Sequence, residues 1–183
     1  MSILTCLIFA CIAILIFIVY NAIAIHRFGV PSSLSSTFYL WNSVKENLGY
    51  IFTAMMFTMV FFLLPAWTTV NEVISTWSKY LTVLPFLGAA SIAFVGAAPA
   101  YRGFKNENKV HMIAAACAAA FSLAWCAIVC YKIAWIILPL WVLIVAACAH
   151  LSKTHKTARD YWLEMIAFGA TFTTIITECI MLL

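Results

Sequence analysis

Long apolar runs separated by short polar connections constrain this chain more than any other feature. The runs cover about residues 3–25, 48–67, 81–100, 111–130, 133–149 and 160–183. Each run is long enough for a membrane span, because a helix of about 17–25 apolar residues crosses the hydrocarbon core. Helices satisfy all their backbone polar groups internally, which lipid requires. The sequence therefore predicts an all-α, polytopic membrane protein: a bundle of six transmembrane helices in one domain over residues 1–183.

The composition excludes the soluble and the nucleic-acid-binding classes. Charged residues make up 9% of the chain and hydrophobic residues 66%, whereas soluble domains carry about 25% charged residues. The net charge of +4 comes from cations spread over short loops without a basic run. We therefore predict membrane lipids, and no nucleic acid, as partners.

The cations are distributed unequally between the two sides of the predicted bundle. Loops two and four hold only Lys79 and Lys132. Loops one, three and five hold the other eight, which are Arg27, Lys45, Arg102, Lys105, Lys109, Lys153, Lys156 and Arg159. Because cytoplasmic loops carry the excess of Lys and Arg, the odd loops are predicted to be cytoplasmic and both termini outside.

Loop one is the longest connection. Pro31 followed by serines is a helix-start signal, with Ser32 or Ser33 as the candidate cap. The tyrosine and tryptophan that follow favour the depth of the membrane interface. We therefore expect a short interfacial helix from about Leu34 to Lys45.

Small residues mark spans three and four. Ala89, Ala93 and Ala97 recur at every fourth position, and residues 114–120 are small on every face of span four. Small faces allow close helix contact in lipid, so we place span four centrally and keep open a homo-oligomer or a partner helix on these faces. The two-residue loop at 131–132 predicts that spans four and five are antiparallel neighbours.

Polar side chains that could carry chemistry gather on the predicted cytoplasmic side. Asp160 and Glu164 share a face at the start of span six, His111 opens span four, and loop one supplies hydroxyls. The predicted pocket comprises Ser35, Ser36, Tyr39, His111, Asp160 and Glu164. Arg102, Lys105 and Arg159 would attract anionic head groups to it. Helix capping by Asp160, capping by the serines and an ordinary interfacial histidine remain open alternatives.

Span six carries a second polar feature. Glu164 and Glu178 are fourteen residues apart, which returns to nearly the same helix face, and Thr171 lies between them. Charges within a span are functional candidates because they are costly in lipid. The stripe with Thr171 and Glu178 is an alternative path for a small transporter or channel, unless both glutamates reach water near the interfaces. Asn21, within span one, must find a partner inside the bundle.

No complete catalytic or cofactor motif is present. The chain has no GxSxG elbow, no Ser-xx-Lys and no CxxC pair, and its histidines match no zinc spacing. We therefore predict no metal and no cofactor, and we leave open whether any reaction is catalysed.

Two segments carry a family resemblance. One is Pro31–Tyr39; the other is Phe94–Pro99, followed by a polar loop and by Val110 and His111. With their serines, Gly-x-x-Pro and histidine, they resemble uncharacterised six-helix bacterial membrane proteins distantly similar to the DRAM and GPI-lipid-remodelling group. The resemblance implies the six-helix fold and a link to lipids. We predict the plasma (inner) membrane as the location.

The grouping of serine, histidine and acid at one membrane face is also similar to the ceramidase and adiponectin-receptor superfamily of intramembrane hydrolases. This chain has six predicted spans rather than seven and lacks an HxxxH pair, which argues against a zinc hydrolase. Three functions follow: binding or processing of a lipid head group or small amphiphile, transport along span six, and a scaffold that binds a partner helix.

Overall fold

The computed structural model describes residues 1–74, 78–103, 105–129, 133–154 and 156–183. The described residues form helices and contain no strand, which confirms the all-α prediction. The helices are α1 (Ile3–Phe28), α2 (Thr37–Val44), α3 (Tyr50–Ile74), α4 (Ser78–Leu81), α5 (Val83–Ala97), α6 (Lys105–Val129), α7 (Ala134–Thr154) and α8 (Arg159–Leu182). A 3₁₀ turn at Lys156–Ala158 precedes α8.

Five described helices are long and apolar enough to cross a membrane, namely α1, α3, α6, α7 and α8. Predicted span three corresponds to α5, an apolar helix of 15 residues. At 1.5 Å per residue, α5 is about 22 Å long, shorter than the hydrocarbon core of about 30 Å. Its end is set by Pro99, because the residue before a proline is disfavoured in helical conformation. Ala98 accordingly leaves the helix, with φ −114° and ψ 59°.

Several helices continue beyond the predicted spans. Helix α3 passes through Pro65 and ends at Ile74, so residues 68–74, predicted as loop, are helical. Helix α6 begins at Lys105, inside predicted loop three. The difference arises because hydropathy marks where contact with lipid would end, whereas a helix continues while its backbone bonds are satisfied. The short helix predicted in loop one is present as α2.

Helix α3 lies at the centre of the bundle. It packs along α1 on one side and α5 on the other, while α8 contacts α1, α6 and α7. Among the described residues α7 packs along α8, and no comparable packing of α7 along α6, as predicted for spans four and five, is found there. The buried residues of α7 are Ile137 and Cys148, a narrow stripe facing one neighbour. The connecting residues 130–132 lie outside the described residues.

Glycines on α5 allow its close contact with α3. A Cβ on Gly88 would lie 2.8 Å from the Trp67 ring, and one on Gly96 would lie 2.8 Å from Met56. The Thr53 hydroxyl donates to the Gly96 carbonyl at 2.9 Å. The small face predicted on span three therefore packs within the chain at its glycines, whereas of the alanine series Ala89 is buried and Ala97 is exposed.

The alanine-rich half of α6 is not central, contrary to the prediction. Ala116 and Ala120 are exposed, whereas Ala114 is buried. Helix α6 packs on α5 and α8 and leaves one side open. A helix with alanines on every face can pack closely in any direction. Its sequence therefore does not indicate how many of its sides contact other helices.

Candidate functional site

His111 joins three segments at one end of the bundle. Its Nδ1 lies 2.9 Å from the carbonyl oxygen of Ala98, at the end of α5. Its Nε2 lies 2.9 Å from Oγ of Ser35, in loop one. A carbonyl only accepts, so in the neutral ring Nδ1 carries the proton and Nε2 accepts from the serine hydroxyl. The structure thus brings the predicted site residues Ser35 and His111 into direct contact.

Aromatic rings cover this pair. Tyr101 stacks on the His111 imidazole with ring centroids 4.3 Å apart and planes 18° apart. Tyr39 meets Tyr101 edge-on at 5.5 Å, and its hydroxyl accepts the backbone N–H of Arg102 at 2.6 Å. The Arg102 guanidinium lies 5.0 Å from the centroid of the Tyr39 ring. Burial raises the pKa of Tyr39, so its phenol stays protonated at neutral pH.

The turn at residues 32–36, called the serine turn below, fixes the backbone around Ser35. The Ser36 N–H donates to the Ser33 hydroxyl at 3.1 Å, and the Ser33 N–H donates to the Ser36 hydroxyl at 3.2 Å. The Ser36 hydroxyl also donates to the Ser33 carbonyl at 2.6 Å. Ser36 is buried, but its hydroxyl serves the turn. Helix α2 begins after the turn at Thr37, later than predicted.

Helix α8 holds the serine turn from the other side. Oε2 of Glu164 accepts the N–H of Leu34 at 2.6 Å, and the N–H of Tyr161 donates to the Ser32 carbonyl at 3.1 Å. Asp160 is exposed, so it lies outside this buried group. It occupies the first turn of α8, whose N–H groups attract an anion that remains in contact with water.

A buried network ties α1 to this end of the bundle. The Tyr161 hydroxyl donates to Oδ1 of Asn21 at 2.9 Å, and Nδ2 of Asn21 donates to the Phe17 carbonyl at 2.8 Å. The hydroxyls of Tyr20 and Thr37 are hydrogen-bonded to each other. Asn21 thus has the internal partner that the sequence required.

An elongated cavity of about 180 Å³ lies between α3, α5, α6 and α8, next to the serine turn. It extends along α3 from Met56 to Leu63 and along α8 from Leu163 to Thr171, or about 10–12 Å. Further apolar wall residues are Ile92, Val95, Ala115, Ala118, Ala119, Leu163, Ala167 and Phe168.

The polar groups of the cavity are unequally placed. Ser35 and Glu164 lie at the end formed by the serine turn. The deeper hydroxyls belong to Ser122 and Thr171, and each donates to a carbonyl four residues earlier in its own helix. Such internal bonds satisfy a hydroxyl within an apolar wall. The cavity is therefore apolar along its length and polar at one end.

The three predicted head-group cations, Arg102, Lys105 and Arg159, are all exposed. Arg102 lies against Tyr39, while Lys105 and Arg159 begin α6 and α8, the helices that carry His111 and Glu164. All three therefore occupy the end of the bundle where the serine turn lies. Their attraction of anionic head groups stays a prediction.

The two residues of the alternative path on α8 lie in different surroundings. Thr171 and Glu178 are both buried, but Thr171 lines the cavity and Glu178 is not among the lining residues. The hydroxyls of Thr171, Thr173 and Thr174 all donate to carbonyls of α8 itself. The transport hypothesis stays a prediction with Glu178 as its test residue.

Within the described ranges no three His, Cys, Asp or Glu side chains are grouped as a metal site would require. No family model, curated protein or solved structure matches the chain. In the part of the chain that the structure describes, the fold and the site define a helical protein with membrane-length helices and an apolar cavity that is polar at one end. The resemblance drawn from the serine and histidine segments stays a prediction.

Proposed function

We propose that the protein is a six-span membrane protein whose cavity binds the apolar chain of a small amphiphile, with the polar head at the serine turn. The shape and polarity of the cavity carry this proposal: it measures about 180 Å³, is elongated, is lined mainly by apolar side chains of four helices, and has Ser35 and Glu164 at one end. An apolar cavity of about 150 Å³ can stay dry and accept benzene. The cavity volume therefore fits part of one alkyl chain and is too small for a lipid with two alkyl chains.

The head group would meet polar and charged side chains. Glu164 uses Oε2 for the Leu34 N–H, so Oε1 remains to accept from a hydroxyl or ammonium. The exposed cations Arg102, Lys105 and Arg159 lie at the same end and would favour anionic head groups near the membrane surface. A lipid head group and a free amphiphile share this chemistry.

In the proposed arrangement α5 crosses the plasma (inner) membrane in addition to the five longer helices. The end of the cavity with the serine turn faces the cytoplasm. A helix of 15 residues can span where the bilayer thins locally. Loop one, the end of α5 and the starts of α6 and α8 meet at one end of the bundle. That grouping supports the placement of the cation-rich odd loops on one side.

Added cysteines test this placement. We expect Ser43→Cys and Asn106→Cys, both at exposed positions, to react with a membrane-impermeant maleimide only after cells are permeabilised. Leu183→Cys should react in intact cells, and the unmodified protein gives the background from native cysteines. Reaction of Ser43→Cys and Asn106→Cys from opposite sides would contradict the proposed site.

Matched substitutions on α6 test the cavity. Ala119 lines it, whereas its neighbour Ala120 is exposed. Ala119→Leu should reduce bound lipid by at least about fivefold, because overpacking costs about 1–3 kcal/mol and 1.4 kcal/mol corresponds to tenfold. Ala120→Leu should leave occupancy unchanged. Native mass spectrometry of protein released from its own membranes measures both.

Two outcomes would favour the other functions. Selective loss of a co-purifying protein in Ala120→Leu, with lipid occupancy intact in both variants, would support the scaffold that binds a partner helix. Flux in proteoliposomes that vanishes in Glu178→Gln would support transport. Either result would contradict the proposal that binding of an amphiphile in the cavity is the function of the protein.

A further inference from the structure

We propose that Ser35 is a nucleophile and His111 its general base, and that the pair transfers the acyl group of a single-chain carboxylic ester held in the cavity. This inference rests on the proposed function, because the cavity must first hold the acyl chain. It adds a reaction and a substrate class to the binding of an amphiphile proposed above.

The geometry at His111 is that of an activated serine. Nε2 lies 2.9 Å from Oγ of Ser35, within reach of proton transfer. The Ala98 carbonyl, 2.9 Å from Nδ1, selects the tautomer whose Nε2 lone pair faces the serine. Tyr101, stacked on the ring, fixes the imidazole plane. Nucleophile, base and orienting acceptor are therefore all in place.

Ser35 differs from the other hydroxyls that line the cavity. Ser122 and Thr171 donate to carbonyls of their own helices, whereas the Ser35 hydroxyl is hydrogen-bonded to an imidazole. Ser35 lies at the polar end, where the carbonyl of an ester would sit if its acyl chain occupied the apolar length. The carbonyl carbon of a bound ester would therefore lie next to Ser35, whose hydroxyl is hydrogen-bonded to His111.

A backbone donor is available for the oxyanion. The N–H groups of residues 33, 34, 36, 37 and 38 all donate within the protein. The Ser35 N–H is the one that remains in this stretch of the described chain. The backbone N–H of a nucleophilic serine can stabilise the oxyanion. Glu164, which takes the Leu34 N–H, is a positioning residue for this turn.

The reaction balances with water as the only co-reactant. Oγ of Ser35 attacks the ester carbonyl carbon as its proton passes to Nε2 of His111, and the carbon–oxygen bond to the leaving alcohol breaks. His111 returns the proton to that alcohol. Water then attacks the carbonyl carbon of the acyl-serine and gives a proton to His111. The bond between that carbon and Oγ breaks, His111 returns the proton to Oγ, and the carboxylic acid leaves.

A long-chain alkyl fluorophosphonate tests the nucleophile on the purified full-length protein in detergent. We expect one label per chain, mapped by peptide mass spectrometry to Ser35, with Ser122 in the same cavity unlabelled. Ser35→Ala should abolish labelling. His111→Gln should slow it by at least about 100-fold, the lower range for a general base. Ser43→Ala, which changes an exposed hydroxyl on α2, should label at the normal rate.

The pH dependence of the wild-type labelling rate tests the role of His111 even if His111→Gln fails to fold. The wild-type labelling rate should fall as acid protonates His111, because a protonated ring cannot accept the serine proton. A rate independent of pH, or a label outside Ser35, would overturn the assignment. Absence of label while native mass spectrometry shows bound amphiphile would overturn the nucleophile alone. Absence of both would overturn the proposed function as well.

Discussion

Replacing Trp125 by alanine should strongly destabilise the protein. Trp125 is fully buried on α6, its ring meets Trp67 edge-on at 5.4 Å, and its Nε1 donates to Oδ1 of Asn71 at 2.9 Å. Truncation of a buried tryptophan costs about 3–5 kcal/mol. We expect about 3 kcal/mol, since lipid also solvates apolar groups and the loss is mainly of packing. Denaturant titration of the detergent-solubilised protein measures it.

Two further tryptophan variants separate the causes. Trp135→Ala makes the same change on α7, where the side chain is 74% exposed, and should change the free energy of unfolding by less than about 0.5 kcal/mol. Trp125→Phe keeps most of the volume but removes the N–H donor. Hydrogen bonds between membrane helices are worth about 0.6 kcal/mol on average. Similar losses at both tryptophan positions would contradict the contacts of Trp125 with Trp67 and Asn71 on α3.

The sequence was sufficient for the fold class because lipid imposes a simple rule. Only helices satisfy backbone groups within apolar runs of this length, so the all-α class followed without knowledge of contacts. Hydropathy could not give the ends of α3, since residues 68–74 are polar enough for a loop and yet helical. It also overestimated α5, where Pro99 ends the helix before a full span length.

The candidate site was partly predictable, because the one-sided cations predict that loop one and the starts of α6 and α8 share one end of the bundle. Ser35, His111 and Glu164 do meet there, each hydrogen-bonded within the site. Exposure could not be read from the pattern, so Asp160 was grouped with them although it faces outward. The stacking of Tyr101 carried no sequence signal, because an aromatic residue in a polar loop does not indicate which ring it will cover.

A second polar group lies away from this site and was missed. Asn71 accepts from Trp125 and its Nδ2 donates to Thr82 at 3.0 Å, joining α3, α6 and the residue before α5. The sequence interpretation placed Asn71 in a loop, where an amide needs no internal partner. Its helical position became evident only from the extension of α3 beyond Pro65.

Gly49→Ala should disturb both stability and the candidate site. A Cβ on Gly49 would lie 2.4 Å from the Phe38 carbonyl oxygen and 2.8 Å from the Asn42 side chain. The Gly49 N–H donates to Oδ1 of Asn42 at 2.7 Å, which holds the end of α2 against the start of α3. Because the Phe38 oxygen belongs to the backbone, α2 must shift. Overpacking of this kind costs about 1–3 kcal/mol, and we expect about 2 kcal/mol.

The shift should reach Ser35, because the serine turn leads directly into α2. Gly49→Ala should therefore lower both the denaturant midpoint and the lipid occupancy measured by native mass spectrometry. Gly103→Ala is the matched control near the same end of the bundle. The nearest atom to its new Cβ is the Ala100 carbonyl oxygen at 3.6 Å, an ordinary contact, so neither quantity should change. Equal behaviour of the two variants would show that α2 does not fix the serine turn.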